Sequence, residues 1–570
     1  MNPHGFLRVA AACPELRVAD CPFNADRTLA LMARAEKEGV NLLVFPECGL
    51  TGYTCHDLFH LQSLQRAAED ALAKVVEKST SFRGVAVVGL PLAIEGQLFN
   101  CAAVIHAGKV LGLVPKTYLP NYKEFYDARY FCPADNANFA AASCAGQSVP
   151  FGTNLLFDCR TVNGFTLGVE ICEDLWQPVP PSSLQAIMGA TVCANLSASN
   201  EVIGKAGYRR QLVTSQSARC LSGYVYASCG EGESTSDLVF GGHCLIAENG
   251  ALLAESDRFK HGQQLLVADL ALDRLLHDRI QTNTFHDANR VADLSLGKFR
   301  TLAFDLEMGA REPRFVRAVD PSPFVPSDPA TRDDRCKDVF RTQVAALGRR
   351  LSHVNFPPVS IGVSGGLDST LALLVVCKTI DELGVPRERV QALTMPGFGT
   401  SDRTRRNADG LARALNITLR EIDIRGMCLE QMRALGHSPF GIRLDGETVS
   451  SLSHKLLHLP ADNRSDLVFE NVQARVRTSL LMNAGFVIGT GDLSELALGW
   501  CTYNADHMSM YNPNVSIPKT LVKFLVRWAA EHEFDGPARA TLLDIVTTEI
   551  SPELLPTTAG GEIAQSTESA

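Results

Sequence analysis

Residues 361–370 read IGVSGGLDST and run on into LALLVV, and no other string narrows the possible folds as much. An apolar lead-in suited to a buried strand breaks into small residues, and a carboxylate and two hydroxyls then open an apolar helix. A strand that turns through two glycines straight into a helix predicts a parallel α/β layer with ligands at the carboxyl end of the strand. The glycines let backbone N–H groups face inward as an anion nest, Ser364 and Ser369 add hydroxyls, and the helix start adds its positive dipole end. The commonest phosphate loop carries a lysine. This one carries Asp368, which suits a phosphate only with a cation between them, so the loop predicts Mg²⁺.

The alternation continues downstream, with RVQALTMPG as strand, RTRRNADGLARALN as helix and ITLREIDI as strand. This predicts a doubly wound parallel sheet over 335–570. Residues 1–275 have another rhythm. Short apolar runs (LRVAAA, NLLVFPE, GVAVVGLP, CAAVIHAG, FTLGVEICED, TVCANLSAS, YVYASCG, GGHCLIAENG, QLLVADL) read as strands, and helical stretches such as ADRTLALMARAEKEG separate some of them. That predicts an α/β sandwich with chemistry at the strand ends. Between the halves, 276–334 loses periodicity and ends in the Pro-, Asp- and Ser-rich DPSPFVPSDPATRDD, which reads as a linker. A chain of 570 residues is too long for one core.

Three strings in the first half each set one reactive side chain at or just after a strand: Glu47 in LLVFPECGLTGY, Lys116 in GLVPKTYLPNYKEFYDARYF and Cys172 in GVEICEDLWQP. A thiol attacking an amide needs a base for its proton and a cation for the oxyanion. Glu47, Cys172 and Lys116 supply base, nucleophile and stabiliser, with Glu124 and Glu173 as supporting acids. The 17 cysteines include no C-x-x-C pair, so neither a zinc ribbon nor a redox motif is expected, and most cysteines are expected to be buried apolar residues. A net charge of −10 argues against nucleic acid as a partner. With no apolar run long enough to span a bilayer and no signal-like start, a cytoplasmic protein without membrane attachment is expected.

The three strings resemble the nitrilase superfamily over roughly residues 5–275, which implies an α-β-β-α sandwich and a Glu47–Lys116–Cys172 triad. SGGLDS resembles the loop of the N-type ATP pyrophosphatases, which have an adenine nucleotide α-hydrolase-like fold. ENVQARVRTSLLMN, GTGDLSELALGWCTYNADHMSMYNPNVSIPKT and TMPGFGTSDRTRRNA resemble the NAD synthetases within that group. The pairing is that of the glutamine-dependent NAD synthetase family. The resemblance implies hydrolysis of L-glutamine, a channel for the ammonia, and amidation of adenylated deamido-NAD⁺ to NAD⁺, AMP and pyrophosphate by a homo-oligomer. It places glutamine on Tyr122, Ser199 and Lys205, with Tyr53 and Phe125 shaping the pocket. It places ATP on Gly362, Val363, Ser364, Gly365, Gly366, Leu367, Asp368, Ser369 and Thr490. Deamido-NAD⁺ falls on Asn471, Glu495, Trp500, Cys501, Thr502 and Tyr503, and Mg²⁺ on Asp368 and Glu495. Arg475, Arg477 and Lys519 are cations suited to phosphates or a carboxylate. The likeness runs to the QSTE string, whereas family members usually continue with further helices and a lysine for deamido-NAD⁺. A different adenylated acceptor, or an amidase carrying a nucleotide-binding module, fits the same two folds.

Overall fold

A computed structural model of the chain describes residues 5–288, 299–307, 315–400, 402–459 and 465–547, so the QSTE string lies outside the described residues. The chain divides into two compact units, Met1–Val319 and Asp320–Ala570.

The first unit is built on two sheets. One holds β1 (Phe6–Cys13), β2 (Leu42–Val44), β3 (Val85–Ile94), β4 (Gln97–His106) and β5 (Lys109–Pro115) in sequence order. A hairpin of β6 (Ala141–Cys144) and β7 (Gln147–Pro150) follows. The second sheet holds β8 (Leu155–Cys159), β9 (Thr166–Ile171), β10 (Val192–Ser197), β11 (Gly223–Ser228), β12 (Leu245–Glu248) and β13 (Ala251–Glu255). The strand β14 (Gln264–Ala271) returns to pair antiparallel with β1. Period-two alternation explains the layering. On β1, Leu7, Val9 and Ala11 join a core shared with Leu167, Val169 and Ile171 of β9. Their neighbours Ala10 and Ala12 pack instead with Leu31 and Met32 of the helix Cys21–Lys37 and with Leu72 and Val75 of the helix Gln62–Lys78. On the far side of the second sheet, Cys193, Tyr224 and Tyr226 pack with Val213 of the helix Lys205–Arg219. Helices therefore flank two facing sheets, the expected α-β-β-α sandwich.

The stretch read as a linker needs correction. Within 276–334, Arg300–Phe304 forms β15, which pairs parallel with β8 at the edge of the second sheet. Phe304 is buried in the inter-sheet core. The helix Pro329–His353 also begins inside this stretch, capped by Asp328, whose carboxylate accepts the Thr331 N–H. One five-residue edge strand among Pro- and Asp-rich flanks leaves no periodic signal to read.

In the second unit β16 (Val359–Gly362), β17 (Val390–Thr394), β18 (Thr418–Glu421) and β19 (Phe486–Ile488) form a parallel sheet in the order β18-β17-β16-β19. The order reverses between β16 and β19, where an open α/β sheet receives its ligand. Val359, Ile361 and Val390 pack with the helices Pro329–His353, Leu367–Glu382 and Lys519–His532, whereas Leu393 and Met395 pack with Arg425–Ala434 and Leu467–Ala484. Among the described residues no helix is long and apolar enough to cross a membrane.

Candidate functional site

The first unit gathers its reactive residues at strand ends. Beyond β2 the Phe45 N–H donates to the Val87 carbonyl, and the chain then turns and leaves Glu47 fully buried. Lys116 follows β5 directly, and Cys172 follows β9 with φ +45°, in the left-handed region that costs a side chain energy. Glu47 Oε1 accepts from Lys116 Nζ at 2.6 Å and from Asn100 Nδ2 at 2.6 Å, and its Oε2 accepts the Ala198 N–H at 2.9 Å. Lys116 Nζ also donates to Asp127 Oδ2 at 2.6 Å, and the Tyr53 hydroxyl donates to Asp127 Oδ1 at 2.6 Å.

These contacts set the proton affinities. Burial raises the Glu47 carboxyl above its ordinary range while the Lys116 charge opposes the rise. Burial works against the Lys116 charge too, yet Asp127 and Glu47 together hold its pKa well above the usual lysine value. The Cys172 thiol is pushed up to about 12 by burial and by Glu47, with Lys116 pulling the other way. A base, a locked ammonium and a thiol in electrostatic contact can form and collapse a thioester.

Around them the expected pocket residues form one network. The Tyr122 hydroxyl donates to Glu173 Oε1 at 2.9 Å, and the Tyr122 ring meets Phe125 edge-on at 6.0 Å between centroids. Lys205 Nζ lies 5.5 Å from the Phe125 ring and 5.1 Å from the Trp176 ring, and it donates to Asn200 Oδ1. Asn200 Nδ2 in turn donates to Glu124 at 2.8 Å, and buried Ser199 accepts from Arg209 at 3.1 Å. The sequence reading missed Asp127, Asn100 and Asp174. The Asp174 carboxylate accepts the N–H groups of Ile171 (2.9 Å), Thr117 (3.2 Å) and Tyr118 (2.9 Å), which ties the lysine turn to the cysteine turn.

In the second unit the loop after β16 turns at Gly365, φ +81°. Ser364 and Ser369 hydroxyls lie 3.1 Å apart, and the Gly366 N–H donates to Ser364 Oγ at 3.3 Å. A cavity of about 310 Å³ opens here. Gly362, Val363, Ser364, Asp368 and Ser369 line it from the loop side, and Thr490, Glu495 and Cys501 from beyond β19. Leu367 packs into the core, and Gly365, Gly366, Asn471, Trp500, Thr502 and Tyr503 lie outside the lining. Trp500 and Tyr503 are exposed. Arg475 donates to the Tyr503 carbonyl at 3.3 Å, and Arg477 to the Met395 carbonyl at 3.1 Å.

Asp368, Asp492 and Glu495 bring ligand oxygens within 4.8 Å of one another. The string D-L-S-E is a capping box: the Glu495 N–H donates to Asp492 Oδ1 at 2.9 Å, and the Asp492 N–H to Glu495 Oε2 at 3.2 Å. That box converges the two carboxylates and was the available signal for Asp492. Lys519 Nζ sits 2.6 Å from Asp368 Oδ2, 3.2 Å from Asp492 Oδ2 and 3.2 Å from Glu495 Oε1. Asp368 Oδ1 is buried and accepts no hydrogen bond, and Asp492 Oδ2 is buried with the Lys519 ion pair alone. Burial raises the Asp368 and Glu495 carboxyls while Lys519 opposes it. Hard oxygen donors with an orphaned atom fit a small divalent cation. Asn514 Nδ2 donates to the carbonyls of Asp368 (2.9 Å) and Thr490 (3.1 Å), fastening the loop to the end of β19.

Comparison with known proteins bears on both units. The carbon-nitrogen hydrolase family model matches residues 8–279, and the NAD synthase family model matches residues 339–537. The glutamine-dependent NAD(+) synthetase of Mycobacterium tuberculosis strain H37Rv is 44% identical over 572 residues, covering 99% of this chain and 81% of the relative. The enzyme of that name from Mycobacterium leprae is 43% identical, with 99% and 81% covered. Its Thermotoga maritima counterpart is 27% identical, with 92% and 80% covered.

Proposed function

The chain belongs to the glutamine-dependent NAD(+) synthetase family, ligases that pair a glutaminase with an NAD synthase, and from that premise we propose how its own residues divide the work. Glu47 takes the Cys172 proton as the sulfur attacks the side-chain amide carbon of glutamine, and the Lys116 ammonium balances the oxyanion. Glu47 returns the proton to the departing ammonia, and water then cleaves the thioester to glutamate. Lys205, Ser199 and Tyr122 present polar groups to the substrate, and Tyr53 and Phe125 shape the pocket wall.

In the second unit the 362–369 loop and Thr490 receive ATP. Deamido-NAD⁺, held by Asn471, Glu495 and the Trp500–Tyr503 segment, attacks the α-phosphate through its carboxylate and expels pyrophosphate. Ammonia then displaces AMP to give NAD⁺. Asp368 and Glu495, with Asp492 beside them, would hold Mg²⁺, which when bound offsets charge on the polyphosphate. The same reading carries over the family's homo-oligomeric assembly and a cytoplasmic location, which a net charge of −10 suits.

The observation that carries this reading is the Lys116 ammonium at 2.6 Å from Glu47, buried beside a cysteine held in a left-handed turn. The test is NAD⁺ formation from deamido-NAD⁺, ATP and Mg²⁺ with either glutamine or ammonium. Cys172→Ala is expected to lose glutamine use by on the order of 10⁴-fold and to keep ammonium use within about twofold. Equal loss with both donors would overturn the division of labour.

A further inference from the structure

Behind the cysteine lies a buried polar cluster that the reaction scheme above does not use. Glu170 of β9, Asn195 of β10 and Tyr224 of β11 are each at most 1% exposed. Parallel pairing sets Asn195 opposite Glu170, and Cys193, two residues before it on the same face, opposite Tyr224. Glu170 Oε1 accepts the Tyr224 hydroxyl and, at 3.5 Å, Asn195 Nδ2. Glu170 Oε2 accepts the Ser182 N–H at 2.8 Å. On its other side Asn195 Oδ1 accepts the Cys172 N–H at 3.2 Å and the Ser197 hydroxyl at 2.9 Å.

This arrangement admits one orientation of the Asn195 amide. Turned over, its NH₂ would face the Cys172 N–H and its oxygen would face the Glu170 carboxylate, setting donor against donor and acceptor against acceptor. Tyr224 and the Ser182 N–H hold Glu170 in place, so Glu170 fixes Asn195, and Asn195 in turn fixes the backbone of the nucleophile. Cys172 needs such a restraint, because φ +45° is a conformation a non-glycine residue keeps only when its surroundings impose it.

We propose that Asn195, oriented by Glu170 and Tyr224, is a positioning residue for the glutaminase step, holding the strained Cys172 amide and the Ser197 hydroxyl so that the sulfur meets the substrate in line. The proposal rests on Cys172 being the nucleophile. Asn195 therefore governs both the place of the sulfur and the orientation of the Ser197 hydroxyl.

The experiment compares Asn195→Leu, Tyr224→Phe and Cys172→Ala in the full chain. It reads glutamine-dependent and ammonium-dependent NAD⁺ formation, each split into kcat and KM, and the rate of Cys172 alkylation by iodoacetamide. Asn195→Leu is expected to lower kcat for glutamine about 10²-fold with KM little changed. It should also slow alkylation, with ammonium-dependent turnover unaltered. Tyr224→Phe should do the same to a smaller extent, about fivefold. Glutamine kcat and alkylation both unchanged in Asn195→Leu would overturn the proposal. If Asn195→Leu also loses ammonium turnover, Tyr224→Phe decides, and an unchanged glutamine kcat there overturns it. Glutamine use surviving in Cys172→Ala would instead refute the nucleophile assignment beneath it.

Discussion

The reactive centre of the first unit is saturated, and that of the second is not. Around Lys116 both Glu47 oxygens are engaged, Asp127 accepts from Lys116 and Tyr53, and Asn100 and the Ala198 N–H complete the carboxylate's partners. Around Lys519, three carboxylates share one ammonium, and the buried Asp368 Oδ1 accepts nothing. A saturated cluster is preorganised for a neutral substrate such as an amide. A cluster with excess negative charge and an orphaned carboxylate oxygen has room for a further cation. The same contrast reverses the expected sign of a mutation. Removing a member of the first cluster strands a buried charge. Removing a carboxylate from the second relieves repulsion.

Among the charged groups of the two clusters, the largest expected effect is in the second. Asp368→Asn should lower NAD⁺ formation about 10³-fold with either nitrogen donor. It should leave glutamate release intact and hold or raise the thermal midpoint. The Mg²⁺ dependence of pyrophosphate release is the decisive measurement, because an unchanged Mg²⁺ requirement in this variant would break the comparison. Next in size is Asp127→Asn. It should cut glutamine use about 10²-fold and, by leaving Lys116 with one carboxylate, destabilise the first unit by about 3 kcal/mol. Asp127 helps raise the Glu47 carboxyl, after burial and against Lys116. Without its charge the Glu47 pKa falls, and the acid limb of the pH–rate profile for glutamine should move to lower pH. A limb that moves up, or does not move, would remove Glu47 as the base.

The two clusters also differed in how far the sequence revealed them. Glu47, Lys116 and Cys172 were legible because each stands just after an apolar run, and strand ends are where an α/β fold exposes side chains to a site. Asp127 was not, since KEFYDARY offers two acids and no periodicity tells which one reaches Lys116. The 362–369 loop was legible from its glycines, whereas Asp492 was passed over although its capping box with Glu495 stood in plain view. Arg475 and Arg477 stand on one helix, Leu467–Ala484, and because residues two apart face different ways only Arg477 lines the cavity. The structure sends one to the Tyr503 carbonyl and the other to Met395. The edge strand β15 was hidden for a related reason: its place comes from parallel pairing with β8, a contact 145 residues distant.

The smallest expected effect sharpens the comparison, because it concerns a saturated carboxylate with no counter-ion among its hydrogen-bond donors. Asp174 accepts three backbone N–H groups, yet burial pushes its pKa from 3.8 up to about 8. A folded-state pKa above the unfolded one means that the folded chain binds the proton more tightly between those values. Stability from this group is therefore full below the unfolded pKa and is lost as pH rises through the folded one. Urea unfolding of the first unit at about pH 5 and about pH 9 should show a higher midpoint at the lower pH. Asp174→Asn cannot titrate, so it should flatten that difference while lowering stability at both pH values, since its NH₂ must oppose one of the three donors. Glu47, Glu170 and Glu173 are also raised by burial, so the quantity that tests Asp174 is the difference in slope between the two proteins. Equal slopes would mean that the three hydrogen bonds hold Asp174 ionised throughout, and that saturation by backbone donors alone is enough to keep a buried charge.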